Sequence, residues 1–168
     1  MHIINSALCS YGMSGLVFHG PLLEQHRGFK ITKILERTKT ASAGKHEGAR
    51  IVRDYREILD DPDISLVVVN TPDHLHAEMA RQALEANKHV IVEKPFTLRA
   101  DDATMLIRLA GERQRMISVF QNRRWDGDFL TVRELIQSGR LGRLVDFESH
   151  FDRYRTTIQA SWKDRSTG

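Results

Sequence analysis

The sequence predicts an α/β protein built on a doubly wound parallel sheet, followed by the start of a truncated α/β domain with an open antiparallel sheet. Through about residue 120, short apolar runs alternate with helical patterns, which is typical of parallel strands joined by helices. The runs are continuously apolar, as in Leu66–Val69, which indicates strands buried on both faces. After residue 122 the alternation stops, and we expect a second domain that has begun but is not finished.

Strands of the first half are predicted where short runs of apolar, often β-branched residues are bounded by breakers. These runs are 3–9, Phe29–Leu35, 49–52 and Leu66–Val69. Helical patterns lie between and after them, at 16–26, 54–59 and 75–86. The segment 38–48 is polar and rich in small residues, so it predicts a loop or a weak helix. Asn87 is a candidate for the left-handed residue that ends the third helix.

The second half continues with strands at 90–92 and 116–120. Between them Thr97 is a candidate N-cap, and the helix after it places four residues on one face: Ala103, Leu106, Ile107 and Ala110. An amphipathic helix is predicted at 126–138, and the alternation at 143–155 predicts a half-exposed strand of an antiparallel sheet. We therefore predict two domains, 1–122 and 123–168.

Composition limits the classes of protein that this chain can belong to. Of its 168 residues, 40% are hydrophobic and 28% are charged, and the net charge of +3 is spread among both signs. No basic patch or long apolar run is present, so we expect neither a nucleic-acid partner nor a membrane span. The single cysteine, Cys9, excludes an internal disulfide and fits a reducing compartment, and we expect a cytoplasmic protein.

A glycine-containing turn follows the first strand and opens the first helix. Ser10, Gly12 and Gly15 occupy the glycine positions of a dinucleotide-binding fingerprint, which needs this strand–turn–helix context. Gly12 would let a pyrophosphate approach the backbone, and Gly15 would allow the helix to pack closely on the strand. Ser10 replaces the first glycine, so an ordinary turn that happens to hold two glycines is an equal alternative.

An acid–base pair ends the second strand, at the position where a ribose is bound in dinucleotide-binding folds. Glu36 lies about 20 residues beyond the turn and could accept a hydrogen bond from a ribose 2′-hydroxyl. Arg37 could instead contact a 2′-phosphate, and a solvated Glu–Arg pair is the alternative. The sequence predicts NAD or NADP as the cofactor, with NAD slightly favoured.

The loop after the fourth strand carries Thr71 and Pro72, which could line the same ligand edge of the sheet. His74 and His76 follow, two residues apart. A metal site needs further ligands, and the sequence offers no nearby cysteine or third ligand, so we expect none. We expect one histidine to line or cap the pocket and the other to face solvent.

Glu93, Lys94 and Pro95 end the fifth strand abruptly. A lysine at the ligand edge can exchange a proton or grip an anion, whereas a surface salt bridge at a strand end is the alternative. The Lys94–Pro95 bond is a candidate for the cis form. After the sixth strand, Gln121 and Asn122 offer amides that suit a carboxamide such as nicotinamide, and the arginines after them suit a domain junction.

Together these motifs resemble the Gfo/Idh/MocA oxidoreductase family over essentially the whole chain. The matching segments are the turn 11–15 with Phe18, His19 and Pro21, the Thr71–Pro72 loop with His76, and the stretches 93–96, 121–131 and 148–155. The resemblance implies a Rossmann domain that binds NAD(H) or NADP(H). It also implies an antiparallel C-terminal domain and hydride transfer with sugars, polyols or related small molecules.

The resemblance assigns cofactor contacts to the motif residues. Near the pyrophosphate it places the residues of the glycine turn, Ser10, Gly12, Met13, Ser14 and Gly15. It places Glu36 and Arg37 near the adenosine ribose, and Thr71, Pro72 and His76 along the cofactor. Near the nicotinamide it places Glu93, Lys94 and Asn122. Lys94 is implied to be the catalytic or substrate-positioning lysine. Family members are about twice as long as this chain. We therefore expect cofactor binding with little turnover, and homo-oligomers through the C-terminal sheet where that domain is complete. A non-enzymatic dinucleotide sensor of the same fold and a non-functional truncated product are the alternatives.

Overall fold

The computed structural model describes residues 3–152, 154 and 156. The chain divides into two compact units, Met1–Asn122 and Arg123–Gly168. The first unit holds the six-stranded sheet and all of the candidate site residues, the last of which is Asn122.

The first unit is a six-stranded parallel sheet in the order β3-β2-β1-β4-β5-β6. Its strands are β1 Ile4–Leu8, β2 Phe29–Leu35, β3 Arg50–Val52, β4 Leu66–Val69, β5 His89–Val92 and β6 Ile117–Val119. Every neighbouring pair is parallel. This strand order is that of the Rossmann fold, with the chain reversing direction across the sheet between β1 and β4. The predicted fold class is confirmed for this unit.

Helices connect the strands and cover both faces of the sheet. They are α1 Gly20–Gln25, α2 Arg56–Leu59, α3 His76–Glu85 and α4 Ala100–Glu112. A π-helical turn, Gly15–His19, leads directly into α1. The predicted helix at 16–26 is therefore present but begins with a widened turn. Segment 38–48 forms turns and no helix, and Asn87 ends α3 in the left-handed region with a φ of 59°.

The core lies on the two faces of the sheet, and β4 contributes to both. Val67 and Val69 pack with Ala83 of α3 and Leu106 of α4 on one face. On the other face, Leu66 and Val68 of β4 pack with residues that include Leu23 of α1. Burial on both faces explains why β4 is apolar at every position.

Two details of α4 differ from the sequence prediction. The helix begins at Ala100, so Thr97 is not its N-cap, and the Thr97 hydroxyl instead donates a hydrogen bond to the carbonyl of Arg99. Ile107 is 61% exposed, although the helical pattern placed it with Leu106. Leu106 and Ala110 define the buried face, and Ile107 lies about 100° further round the helix than Leu106.

In the second unit, helix α5 spans Gly127–Gln137, within one residue of each predicted end. The predicted strand at 143–155 is not seen in its described residues, 143–152 and 154. Arg153 and Arg155 lie outside the described residues. An isolated strand has no ladder to hold it, and the described part of this unit offers no second strand as a partner. The predicted antiparallel sheet is therefore not seen there.

Across the described ranges, no helix combines the length and the apolar character that crossing a membrane would require.

Candidate functional site

A cavity of about 460 Å³ opens at the carboxyl ends of β1, β2 and β4. This edge is the point where the strand order reverses, which is where open α/β sheets bind ligands. Six residues predicted from the sequence line the cavity: Ser10, Gly12, Glu36, Arg37, Thr71 and Pro72. The fold thus brings three separate motifs to one cavity, from positions up to 62 residues apart in the chain, Ser10 and Pro72.

The turn after β1 combines an open side with a tightly packed side. A Cβ atom on Gly12 would meet only the Ser10 hydroxyl, at 3.6 Å, so the backbone here is accessible from outside. A Cβ atom on Gly15 would lie 2.6 Å from the Ser10 carbonyl oxygen and 3.1 Å from the Asn70 side-chain nitrogen. Gly15 therefore permits the close helix–strand packing that the sequence predicted. Met13 is exposed and Ser14 is half-buried at the start of the helical turn.

Ser10 takes the place of the first glycine and has a defined contact. The Gly12 amide N–H donates a hydrogen bond to the Ser10 hydroxyl oxygen at 3.2 Å. The side chain thus holds one of the N–H groups in the turn. The other end of the turn is fixed by the Leu16 amide, which donates to the Gly12 carbonyl at 2.9 Å.

Glu36 is buried at the end of β2, where it lines the cavity and anchors the following loop. Its Oε1 atom accepts a hydrogen bond from the Ser42 amide at 3.1 Å. Its Oε2 atom is buried and has no hydrogen-bond partner in the described structure. A buried carboxylate oxygen without a partner is costly, so this atom fits a ligand hydroxyl donor. Arg37 is exposed on the cavity wall beside it.

Loop 38–48 closes this side of the cavity and is held by further contacts. The Arg53 guanidinium donates to the carbonyl oxygens of Glu36 and Lys39. Near the other end of the loop, the His46 ring contacts the Tyr11 hydroxyl at 2.8 Å. The loop is therefore tied both to the end of β2 and to the glycine turn.

Thr71 and Asn70 supply polar groups from the end of β4. The Asn70 side-chain amide donates to the Ser10 carbonyl at 2.8 Å, which joins the β4 end to the glycine turn. The Thr71 hydroxyl and the Asn70 side-chain oxygen are buried without hydrogen-bond partners in the described structure. Thr71 and Pro72 lie on the cavity wall, as predicted from the sequence.

The two histidines of this loop have different positions. His76 is 1% exposed and does not line the cavity. Its ring nitrogens contact the carbonyl oxygens of Pro95, at 2.7 Å, and Thr71, at 2.8 Å. His76 therefore bridges the two loops, and its predicted cofactor contact stays a prediction. His74 lies on the cavity wall with an exposed side chain.

Glu93 is buried directly after β5 and is not part of a surface salt bridge. The His19 ring donates from Nε2 to Glu93 Oε1 at 3.0 Å, and the Lys94 amide donates to Glu93 Oε2 at 3.1 Å. Burial opposes ionisation of this carboxyl. The hydrogen bond and charge of His19, together with Lys94, outweigh that effect and hold the pKa of Glu93 below its ordinary value.

Lys94 is exposed at the carboxyl edge of the sheet, and the described residues contain no carboxylate that forms an ion pair with its ammonium group. The Lys94–Pro95 peptide bond is cis. Asn122 is half-buried at the start of the short helical turn Asn122–Trp125. Neither Lys94 nor Asn122 lines the 460 Å³ cavity, which lies over β1, β2 and β4.

Sequence reasoning did not assign three residues that shape this edge: His19, Ser42 and Arg53. Each acts through a partner that is distant in sequence, from 6 to 74 residues away, so spacing alone could not pair them. His19 gave two usable signals: it follows the apolar residues 16–18 of the predicted helix, and it belongs to a segment that carries the family resemblance.

The residues present fit a dinucleotide. Gly12 leaves the backbone open to a phosphate, and the buried, unpartnered oxygens of Glu36 and Thr71 on the cavity wall can contact ribose or phosphate groups. These residues would hold the adenosine and pyrophosphate portions. A dinucleotide spans the two halves of such a sheet, so its other half extends towards β5 and β6.

Comparison with known proteins agrees with the geometry. Residues 4–121 match the profile of GFO_IDH_MocA, described as an oxidoreductase family with an NAD-binding Rossmann fold. An uncharacterised oxidoreductase of Schizosaccharomyces pombe is 45% identical over 167 residues, which cover 96% of this chain and 45% of that protein. The scyllo-inositol 2-dehydrogenase (NADP(+)) IolW of Bacillus subtilis is 40% identical over 162 residues, with 96% and 45% covered.

A solved structure supports the same relationship. The crystal structure of a candidate oxidoreductase from Bacteroides fragilis superposes with a TM-score of 0.89 at 50% identity, covering 94% of this chain and 46% of that one. The chain thus spans a little under half the length of the curated relatives that it matches.

Proposed function

The chain belongs to the Gfo/Idh/MocA family of NAD-binding oxidoreductases, and from this premise we propose that it forms the cofactor-binding part of an NAD(P)-dependent dehydrogenase. The observation that carries the proposal is the cavity at the point where the strand order reverses. Its wall combines the open Gly12 backbone with buried, unpartnered oxygens of Glu36 and Thr71.

The proposed reaction is hydride transfer between the nicotinamide ring and a carbinol carbon of a sugar, a polyol or a similar small hydroxy compound. The nicotinamide, when bound, supplies the hydride acceptor or donor. The chain itself positions the groups that hold the cofactor and handle the proton. Glu93 holds the turn after β5, and Lys94 presents its Nζ atom at the ligand edge, where it can hold or move the hydroxyl proton. Support for the substrate class is the name of IolW, which acts on scyllo-inositol.

For the cofactor, we propose NAD or NADP, with NAD slightly favoured. The unpartnered Oε2 of Glu36 suits a ribose hydroxyl, and a buried carboxylate would repel a 2′-phosphate. Arg37 on the cavity wall supports the opposite preference, as does the NADP in the name of IolW. Titration calorimetry with NAD⁺ and NADP⁺ separates these, and heat from neither dinucleotide would refute cofactor binding altogether.

Because the chain spans about half of its relatives, we propose cofactor affinity with little turnover for these 168 residues. The assay follows reduced cofactor by absorbance during incubation with NAD⁺ and a panel of inositols, polyols and sugars. Steady turnover that survives Lys94→Ala would overturn the role of Lys94. Steady turnover by the unsubstituted chain would overturn the expected need for further residues.

The partners follow from the same proposal: a small-molecule substrate, no nucleic acid or membrane, and further copies of the chain joined through the C-terminal sheet of a complete domain. A cytoplasmic setting accords with Cys9 as the single, buried and unpaired cysteine. The non-enzymatic sensor is the second candidate. It shares the cavity but does not require Lys94, so function of a full-length version with Lys94→Ala would favour it.

A further inference from the structure

His19 is a buried histidine to which the proposed function gives no role. It ends the π-helical turn Gly15–His19 that begins in the glycine turn, and it is 3% exposed. Its ring lies against the Phe120 ring, with centroids 4.2 Å apart, and its Nε2 atom lies 3.0 Å from Glu93 Oε1. One short element therefore joins the phosphate end of the site to the ends of β5 and β6.

The position of the His19–Glu93 pair relative to the sheet determines which part of the cofactor this pair can influence. The cavity wall formed by Glu36 and Arg37 lies beyond β1, whereas Glu93 follows β5 on the other side of the reversal point. A dinucleotide places one half on each side of that point. With adenosine at Glu36, the nicotinamide half faces the turn that carries Glu93 and Lys94.

We propose that His19 is a positioning residue for the nicotinamide half of the cofactor, acting through Glu93. This inference rests on the proposed dinucleotide binding. The His19 ring holds Glu93 Oε1, which leaves Glu93 Oε2 in place to accept the Lys94 amide at 3.1 Å. The carboxylate thus links the first helical turn to the turn that presents Lys94.

The physical basis is that a buried carboxylate needs fixed donors. The two oxygens of Glu93 receive one donor each, from the His19 ring and the Lys94 amide. Without the imidazole, Oε1 would be buried with no partner, and the carboxylate would reorient or take up a proton. Either response removes the fixed acceptor that holds the Lys94 turn. The adenosine wall does not share these contacts, so it should be unaffected.

The test compares two ligands and two substitutions in the 168-residue chain. NAD⁺ contains the nicotinamide, and ADP-ribose lacks it but retains both phosphates and the adenosine. His19→Leu removes the donor, whereas His19→Gln places an amide N–H near the position of Nε2. His26→Leu, at an exposed histidine just after α1, is the matched control.

We expect His19→Leu to weaken NAD⁺ binding by about tenfold, the value of a hydrogen bond to a charged group, and ADP-ribose binding by less than about twofold. His19→Gln should restore NAD⁺ affinity to within about threefold, and His26→Leu should change neither affinity. In a Glu93→Gln background, His19→Leu should have an effect below about threefold, because the imidazole acts through the carboxylate.

Three results would overturn the inference. One is an equal loss of affinity for both ligands in His19→Leu, which indicates a general structural role. A second is NAD⁺ binding that is unchanged by His19→Leu. A third is NAD⁺ binding no tighter than ADP-ribose in the unsubstituted chain. Binding of neither ligand would instead refute the proposed function, and this inference with it. If His19→Leu does not fold, Glu93→Gln carries the test, because it conserves side-chain size. It should weaken NAD⁺ binding and leave ADP-ribose binding within about twofold, and an equal loss of affinity for both ligands would overturn the inference.

Discussion

Replacing Gly15 by alanine should destabilise the protein, although alanine is the better helix former. The added Cβ would lie 2.6 Å from the Ser10 carbonyl oxygen, a backbone atom that cannot move without displacing the end of β1. Inserting a methyl group into such a tightly packed position costs about 1–3 kcal/mol. Alanine recovers at most about 1 kcal/mol of helix propensity. Because the 2.6 Å approach is to a backbone atom, the cost should lie in the upper part of that range, about 2–3 kcal/mol, and the net loss in the free energy of unfolding should be about 1–2 kcal/mol.

Gly12→Ala is the matched control, because both substitutions add the same methyl group within one turn. At Gly12 the new Cβ would make only an ordinary contact, 3.6 Å from the Ser10 hydroxyl. The free energy of unfolding should change by less than about 0.5 kcal/mol, as for surface positions. The methyl group would, however, stand where the backbone is open to a phosphate, so the affinity for NAD⁺ should fall.

Urea unfolding, followed by circular dichroism, measures the stability of both variants, and titration calorimetry measures their NAD⁺ affinity. The two substitutions should have different effects: Gly15→Ala should lower the stability, and Gly12→Ala should lower the affinity for NAD⁺. Equal stability of Gly15→Ala and the unsubstituted chain would refute the packing argument. A destabilised Gly12→Ala would refute the openness of the turn.

Three further predictions concern the core, the thiol and a buried carboxyl. Leu106→Ala should lower the free energy of unfolding by about 2–5 kcal/mol, because Leu106 is fully buried. Ile107→Ala, at the exposed neighbouring position, should change it by less than about 0.5 kcal/mol, as measured by urea unfolding. Similar losses in the two variants would contradict the observed buried face of the helix. Burial raises the pKa of the Cys9 thiol to about 12. A disulfide reagent at neutral pH should therefore react with Cys9 only after the chain is unfolded. Rapid reaction with the native protein would contradict the burial of this thiol. Burial opposes ionisation of Glu93, but His19 above all lowers the pKa of this carboxyl in the folded protein. Ionised Glu93 therefore stabilises the native state at pH values above the ordinary carboxyl pKa. This contribution is lost as the pH falls through the lowered pKa. The stability difference between the unsubstituted chain and Glu93→Gln should therefore shrink on acidification from neutral pH to about pH 3, and a difference that grows would reverse the assigned direction.

The strands were predictable because burial on both faces leaves a strong local signal. Val67, Val68 and Val69 form an uninterrupted apolar run, and few other structures place such a run between breakers. The alternation at 143–155 is a weaker signal, because a strand exists only with a partner to share its hydrogen bonds. Local sequence cannot reveal whether that partner is present.

The candidate site was predictable where a residue's role depends on its backbone position. Gly12 and Thr71 lie in the turns that follow β1 and β4, and parallel strands bring their carboxyl ends to one edge. His76 shows the limit of this reasoning. Its neighbours predicted a loop at the ligand edge, but the direction of its ring depends on the carbonyls of Thr71 and Pro95. The second of these lies 19 residues away and becomes adjacent only in the folded chain.

The anchoring of loop 38–48 has a consequence for how this protein can diverge. Glu36 accepts a hydrogen bond from the backbone amide of Ser42, and Arg53 donates hydrogen bonds to backbone carbonyls of the loop. Both contacts use backbone groups, which almost any residue supplies. The exposed positions 37–41 can therefore exchange side chains while the loop keeps its backbone path, provided that Glu36 and Arg53 are retained and the buried position 42 keeps a small residue other than proline. With the cofactor placed as proposed, the preference for NAD or NADP can then change by point substitutions along the loop, without a compensating change in the sheet.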